Sequence, residues 1–141
     1  MTTRQRIAIA SLATLLGSTV ASRAVQAHHS IAGVYDTTRE VTVEGVVTAF
    51  RFVNPHPFLM VDVKDGAQKI QQWRLEVDNR WELAAIGVTA DTWKAGDWVV
   101  VSGFPGRTQA NSVYVRTLDR PVDGLRYEQV GSRPRIRLPS R

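Results

Sequence analysis

A chain of 141 residues with no cysteine excludes disulfide scaffolds, thiolate metal sites, thiol nucleophiles and lipid attachment through cysteine. Its formal net charge of +5 belongs to the two ends: Arg4, Arg6 and Arg23 precede residue 28, and five arginines from Arg126 onward stand against Glu128 alone. The stretch between, residues 28–125, carries −2, so it lacks the broad positive face of a nucleic-acid binder, and no nucleic-acid partner is expected.

Residues 1–27 read as a secretory signal peptide. Arg4 and Arg6 form a positive start, Ile7 to Val20 is an apolar run, and Ala21 to Ala27 is a small-residue tail. The run is shorter than the roughly 20 residues that span a bilayer. No second apolar run follows, so no transmembrane segment is expected after cleavage; a retained signal anchor is the alternative. Val25 and Ala27 occupy the −3 and −1 positions of a cut after Ala27, which makes His28 the first mature residue. Ser22 and Ala24 offer a second cut that leaves Val25-Gln26-Ala27 ahead of the histidines. Either way the expected location is periplasmic or secreted.

The remainder is long enough for one independent domain, residues 28–125, followed by a basic tail, 126–141. Val41 to Phe52 alternates and then shifts phase around Gly45, which predicts a long first strand with a bulge near the glycine. Asn54-Pro55-His56-Pro57 breaks it. Phe58 to Lys64 is the second strand, Asp65-Gly66 a hairpin turn, and Gln68 to Val77 the third strand with Ile70, Trp73, Leu75 and Val77 inward. Asn79 as N-cap, with Glu82 three residues on, opens a short helix by a capping box. Gly87 closes it in a left-handed conformation, and Trp81, Ala84 and Ala85 form its apolar face. Trp98 to Phe104 and Ser112 to Leu118 are the fourth and fifth strands, with Val113, Val115 and Thr117 on one face. The predicted class is mainly β: a small five-stranded antiparallel OB-like barrel with one short helix between strands three and four. Gly131 to Arg141, with four arginines and two prolines, reads as a disordered or loosely docked tail. Such a tail suits contact with anionic lipid or a partner, and equally suits solubility.

The three histidines, His28, His29 and His56, are the candidate metal ligands. If His28 begins the mature chain, its free amine and imidazole Nδ1 can chelate one ion, and His56 can supply a third nitrogen. That N₃ set suits Cu(II) by ligand type and geometry, with neutral imidazoles available near pH 7. His29 is a spare ligand. A cut that leaves two residues before a histidine allows an amine and amide-nitrogen copper site without His56. Against this, a histidine pair at a chain terminus is often only solvated, and a histidine between two prolines is as readily a rigid connection.

Other residues carry weaker signals. Trp73, Trp81, Trp93 and Trp98 can form a ligand platform, although tryptophans in so small a barrel more often pack the core. Glu44, Glu76 and Asp78 can form a carboxylate pair, although such residues are usually solvated. No G-x-S-x-G elbow, phosphate loop or H-E-x-x-H helix occurs, and Ser30 beside histidines is not a triad without geometry.

Ala27-His28-His29-Ser30, Tyr35-Asp36, Val43-x-Gly45-x-Val47, Asn54-Pro55-His56, Trp73-x-x-Glu76 and Lys94-x-Gly96-Asp97-x-Val99-x-Val101-x-Gly103 together resemble a family of short exported bacterial proteins of unknown function. The resemblance runs from about Ala27 to Leu118 and implies a signal peptide, a periplasmic location and a small OB-like domain. It implies no activity. Ile31 stands where that pattern has an aromatic residue, and the arginine-rich tail is extra to it. The first histidine is similar to that of small periplasmic copper carriers and copper monooxygenases, as a kind of site rather than as a chain. Three readings follow: a periplasmic copper-binding protein for carriage or sensing, a metal-free module docking an envelope protein or small ligand, and, least favoured, a copper oxidase or monooxygenase.

Overall fold

The computed structural model describes residues 31–139. The expected signal peptide and its expected cut site, with His28, His29 and Ser30, lie outside these described residues. After a helical turn at residues 31–34, seven strands and one short helix follow in chain order: β1 (Val41–Arg51), β2 (Phe58–Lys64), β3 (Ile70–Glu76), α1 (Arg80–Ala85), β4 (Trp98–Pro105), β5 (Ser112–Arg120), β6 (Leu125–Val130) and β7 (Arg133–Arg137). Their order in the sheet is β3-β2-β1-β4-β5-β6-β7, and β3 also pairs with β5. That pairing closes β1 to β5 into a barrel with α1 between β3 and β4, the OB-like layout expected. It is also the one parallel contact, over Arg74–Glu76 against Ser112–Tyr114; the other pairs are antiparallel.

Two bulges set which side chains point inward. In β1 the register shifts between Val47 and Ala49. Before it the odd positions Val41, Val43 and Val47 face the core, and after it Phe50 and Phe52 do. The phase change expected at Gly45 therefore sits at Thr48. Gly45 serves another need: a Cβ there would collide with the Asp62 carbonyl and the Val61 side chain, so its bare Cα lets β1 and β2 approach closely. In β5 the pairing skips Arg116, which turns Leu118 rather than Thr117 into the core.

The core contains Leu59, Val61, Leu75, Val77, Val99, Val101, Val113 and Val115 from the barrel and Leu83 from α1. Trp93 lies at its centre, edge-on to Phe50 (5.0 Å between ring centroids) and to Tyr127 (6.2 Å). Asn79 caps α1 as expected, its side chain accepting the Glu82 N–H at 2.9 Å, and Gly87 follows with φ +92°. The face of α1 is corrected: Leu83 is the buried residue, while Trp81 is 75% exposed and Ala84 and Ala85 are exposed too. Ile70 is likewise exposed, because β3 begins at the turn end of the β2–β3 hairpin, opposite the exposed Lys64.

The disordered tail expected from residue 126 is also corrected. Beyond Asp123-Gly124 the chain forms the β6–β7 hairpin, which extends the sheet past the barrel. Its inward side supplies Leu125, Tyr127 and Gln129, all buried, and Ile136, packed on the core. Arginines occupy the other face, so a segment that is basic on average still has an apolar side to bury. Pro134 is tolerated because β7 is the edge strand.

Candidate functional site

The Asn54–Pro57 connection between β1 and β2 is held against the segment that follows β3. Val77 N–H donates to the Pro57 carbonyl (3.0 Å) and Arg80 N–H to the Pro55 carbonyl (3.2 Å). Between these two bonds His56 turns its ring toward the end of β3. Its Nδ1 lies 3.3 Å from the Val77 carbonyl oxygen and 4.0 Å from Glu76 Oε1. A carbonyl can only accept, so this bond requires the proton on Nδ1 and leaves Nε2 of the neutral ring as a lone pair. Among the described residues nothing bonds Nε2, and the side chain is 31% exposed.

Glu76 is the next member. It ends β3 opposite Phe58 on one side and Tyr114 on the other. Tyr35 O–H donates to its Oε2 at 2.9 Å, and the Arg74 guanidinium stands 3.9 Å away while stacking on the Phe58 ring at 3.5 Å. Tyr35 is buried, its ring 5.7 Å from that of Tyr114. The lead-in that carries it is clamped across the ends of β4 and β5: Asp36 N–H bonds the Pro105 carbonyl, and Arg107 N–H bonds the Val34 carbonyl, both at 2.8 Å. Burial first, and then the negative Glu76, push the Tyr35 phenol well above its ordinary range, so it remains a donor.

Asp78 continues the cluster inward. Expected to be solvated, it is instead 7% exposed. Its Oδ1 accepts the Asn79 N–H at 2.6 Å and its Oδ2 accepts from Gln129 Nε2 at 2.8 Å. Gln129 Oε1 in turn accepts the Tyr127 hydroxyl at 3.0 Å. The reciprocal half of the capping box is thus taken over by Asp78, which occupies the Asn79 N–H. A hydrogen bond with Asp78 raises the Glu82 carboxyl above its ordinary value, with burial and the Asp78 charge adding to it. Burial also pushes the Tyr114 phenol up, helped by the charges of Asp78 and Glu76.

One end of the barrel therefore holds a polar array in two parts, His56 with Glu76 and Tyr35, and Asp78 with Gln129 and Glu82. Glu76 and Asp78 both belong to it. Glu44 does not: it lies on β1 beyond Val46, whose row runs through Asp62 to Gln72, four residues before Glu76 on β3. Glu44, Asp62 and Lys64 line a separate open groove of ≈ 430 Å³ on the outer sheet face, with Val46, Ile70 and Trp98. Of the four tryptophans, Trp93 is core, Trp73 packs partly against it, and Trp81 and Trp98 are exposed. Among the described residues no three His, Asp or Glu side chains gather as a metal site would.

Sequence reasoning missed Gln129, Tyr127 and the polar role of Tyr35. The alternation Leu125-Arg126-Tyr127-Glu128-Gln129 is a strand pattern that could have revealed the first two.

A family model described as a family of unknown function, DUF6152, matches residues 16–114. The chain belongs to this family. The DUF6152 match spans His56, Glu76, Asp78 and Glu82 and ends at Tyr114, before β6 and β7. Gln129 and Tyr127, which complete the array around Asp78, thus lie beyond the stretch matched to DUF6152. No curated protein matches the chain.

Proposed function

We propose that this DUF6152 protein is an exported, periplasmic or secreted binding protein. It holds a cupric ion between His28, as the first mature residue, and His56, for carriage or sensing rather than turnover; His29 is a reserve ligand. The observation that carries this reading is the orientation of His56. Histidine ligands to metals characteristically donate their second ring N–H to a carbonyl or carboxylate, which fixes tautomer and direction. The His56 Nδ1 contact with the Val77 carbonyl, beside Glu76, has that form and leaves Nε2 to bind. The lead-in supports the same reading. Tyr35, anchored on Glu76, stands seven residues after His28, a stretch that spans at most about 25 Å.

The test combines intact mass with Cu(II) titration on protein exported from the full chain without an N-terminal tag. The expected result is a chain starting at His28 that binds one Cu(II), with affinity reduced at least tenfold in both His28→Ala and His56→Ala. A different first residue, or copper binding indifferent to both substitutions, overturns it.

The exposed groove favours a second reading, a metal-free module that docks an envelope protein or a small ligand through its barrel face. Trp98, Ile70 and Val46 present apolar surface there beside Glu44, Asp62 and Lys64, a mixture common at recognition surfaces. Here Trp98→Ala abolishes partner capture while His56→Ala leaves it intact; the opposite pattern favours the copper reading.

A further inference from the structure

The β6–β7 hairpin carries a row of arginines that the array around His56 does not use. In β7, Arg133, Arg135 and Arg137 are exposed, and between them Pro134 is buried and Ile136 packs on the core. Alternation puts the three guanidinium stems on one face, about 6.8 Å apart along the strand. Across the ladder Arg137 neighbours Arg126, Arg135 neighbours Glu128 and Arg133 neighbours Val130. Arg126 is already committed, with two bonds of 2.7 and 2.8 Å to Asp119 and a longer contact of 3.8 Å to Glu128. Arg135 and Arg137, by contrast, have no carboxylate within 4 Å among the described residues. Arg133 likewise forms no ion pair among the described residues, although its charge is close enough to act on the Glu82 carboxyl.

Exposed apolar groups lie on the elements next to this row. β7 runs beside α1, with Arg133 near Glu82 at one end and Leu138 near Gly87 at the other. Trp81 on α1, Leu138 and Val130 are all exposed, at 75%, 50% and 45%. Pro134, which lacks an N–H, and the charged side chains blunt the β7 edge against addition of another strand. A row of cations, with an exposed indole and aliphatic side chains on the neighbouring α1 and at the ends of β6 and β7, instead matches the headgroup layer of a bilayer. There arginine meets phosphate and tryptophan sits at the polar–apolar boundary.

We propose that the β6–β7 hairpin, with the neighbouring α1, docks the protein on an anionic phospholipid surface through Arg133, Arg135 and Arg137, with Trp81 as the interfacial anchor. Each basic side chain near such a surface strengthens binding about fivefold, so three together are worth on the order of a hundredfold. This proposal is independent of the copper site, because Arg133, Arg135, Arg137 and Trp81 are not members of the array around His56.

The test is co-sedimentation of the full chain after export with phosphatidylcholine vesicles containing or lacking phosphatidylglycerol, at low and physiological salt. Binding is expected only with phosphatidylglycerol, weakened by salt. It falls about a hundredfold in the variant Arg133→Gln/Arg135→Gln/Arg137→Gln and is also reduced in Trp81→Ala. A control with the same charge change elsewhere, Lys64→Gln/Lys69→Gln/Lys94→Gln, retains it, and unfolding midpoints verify that both variants fold. Absence of binding to the anionic vesicles overturns the proposal, as does equal loss in both triple variants. Tighter binding of an acidic peptide or oligonucleotide than of the vesicles, lost in the arginine variant, reassigns the surface and overturns it too.

Discussion

Tyr35 and Glu76, 41 residues apart in the chain, share a hydrogen bond of 2.9 Å that fastens the lead-in to the end of β3. Because the tyrosine is buried and the acceptor is a carboxylate, the bond belongs to the stronger class of protein hydrogen bonds. Tyr35→Phe keeps the ring against Tyr114 and removes only the donor. The expected cost is about 1.5–3 kcal/mol in urea unfolding, with the unfolding slope unchanged. A loss within about 0.5 kcal/mol, the range of an ordinary surface change, would show that solvent replaces the hydroxyl.

Glu82 makes stability depend on pH in an unusual direction. The folded state holds its proton more tightly than the unfolded chain does, because of the hydrogen bond with Asp78, burial and the Asp78 charge. Stability from this group is therefore complete below the ordinary carboxylate range. It declines as pH rises from that range through the raised folded value, then stays at the lower level. Glu82→Gln supplies a permanent donor toward Asp78 and leaves the backbone cap untouched. At pH 7 it is expected to raise Tm, by an amount kept small because the side chain is exposed and solvent screens it. At pH 4 the two proteins converge. A Tm difference that is constant between pH 4 and 8 refutes the assignment.

The tryptophans divide sharply. Trp93 joins Phe50 of β1 to Tyr127 of β6, so Trp93→Ala is expected to cost about 3–5 kcal/mol. Trp81, exposed at 75%, is expected to change stability by no more than about 0.5 kcal/mol as Trp81→Ala. Comparable losses from both would contradict this division of roles.

Gly45 allows a prediction about the barrel wall. Gly45→Ala drives a methyl group into the Asp62 backbone, which a strand held on both sides cannot yield easily. A cost of about 1–3 kcal/mol is expected by thermal or chemical unfolding. Gly66→Ala, with nothing near its added methyl, serves as the neutral comparison; a neutral Gly45→Ala would mean that β1 shifts to make room.

The barrel was legible because its signals are local. The connection around the two prolines, the Asp65-Gly66 turn, the Asn79 cap and Gly87 each act within a few residues, and β1 to β5 and α1 follow in the expected order. Phase within strands was less legible. Thr48 and Arg116 bulge because of what their partner strands require, so Leu118 rather than Thr117 reaches the core.

Of the candidate site, the sequence by itself supplied the unusual residue, His56 between two prolines, and nothing about its neighbours. Only the tertiary structure decided that Val77 and Glu76 orient its ring, that Tyr35 packs on Tyr114 and reaches Glu76 beside it, and that Asp78 is buried under Gln129. The same holds for residues 126–137. Their average composition is polar and basic, yet pairing with β5 separates apolar from charged side chains onto opposite faces. Composition averages over both faces of a strand, whereas burial acts on one. Which residues meet across a closed sheet depends on register between distant segments, and that is set by the whole barrel rather than by any one stretch of chain.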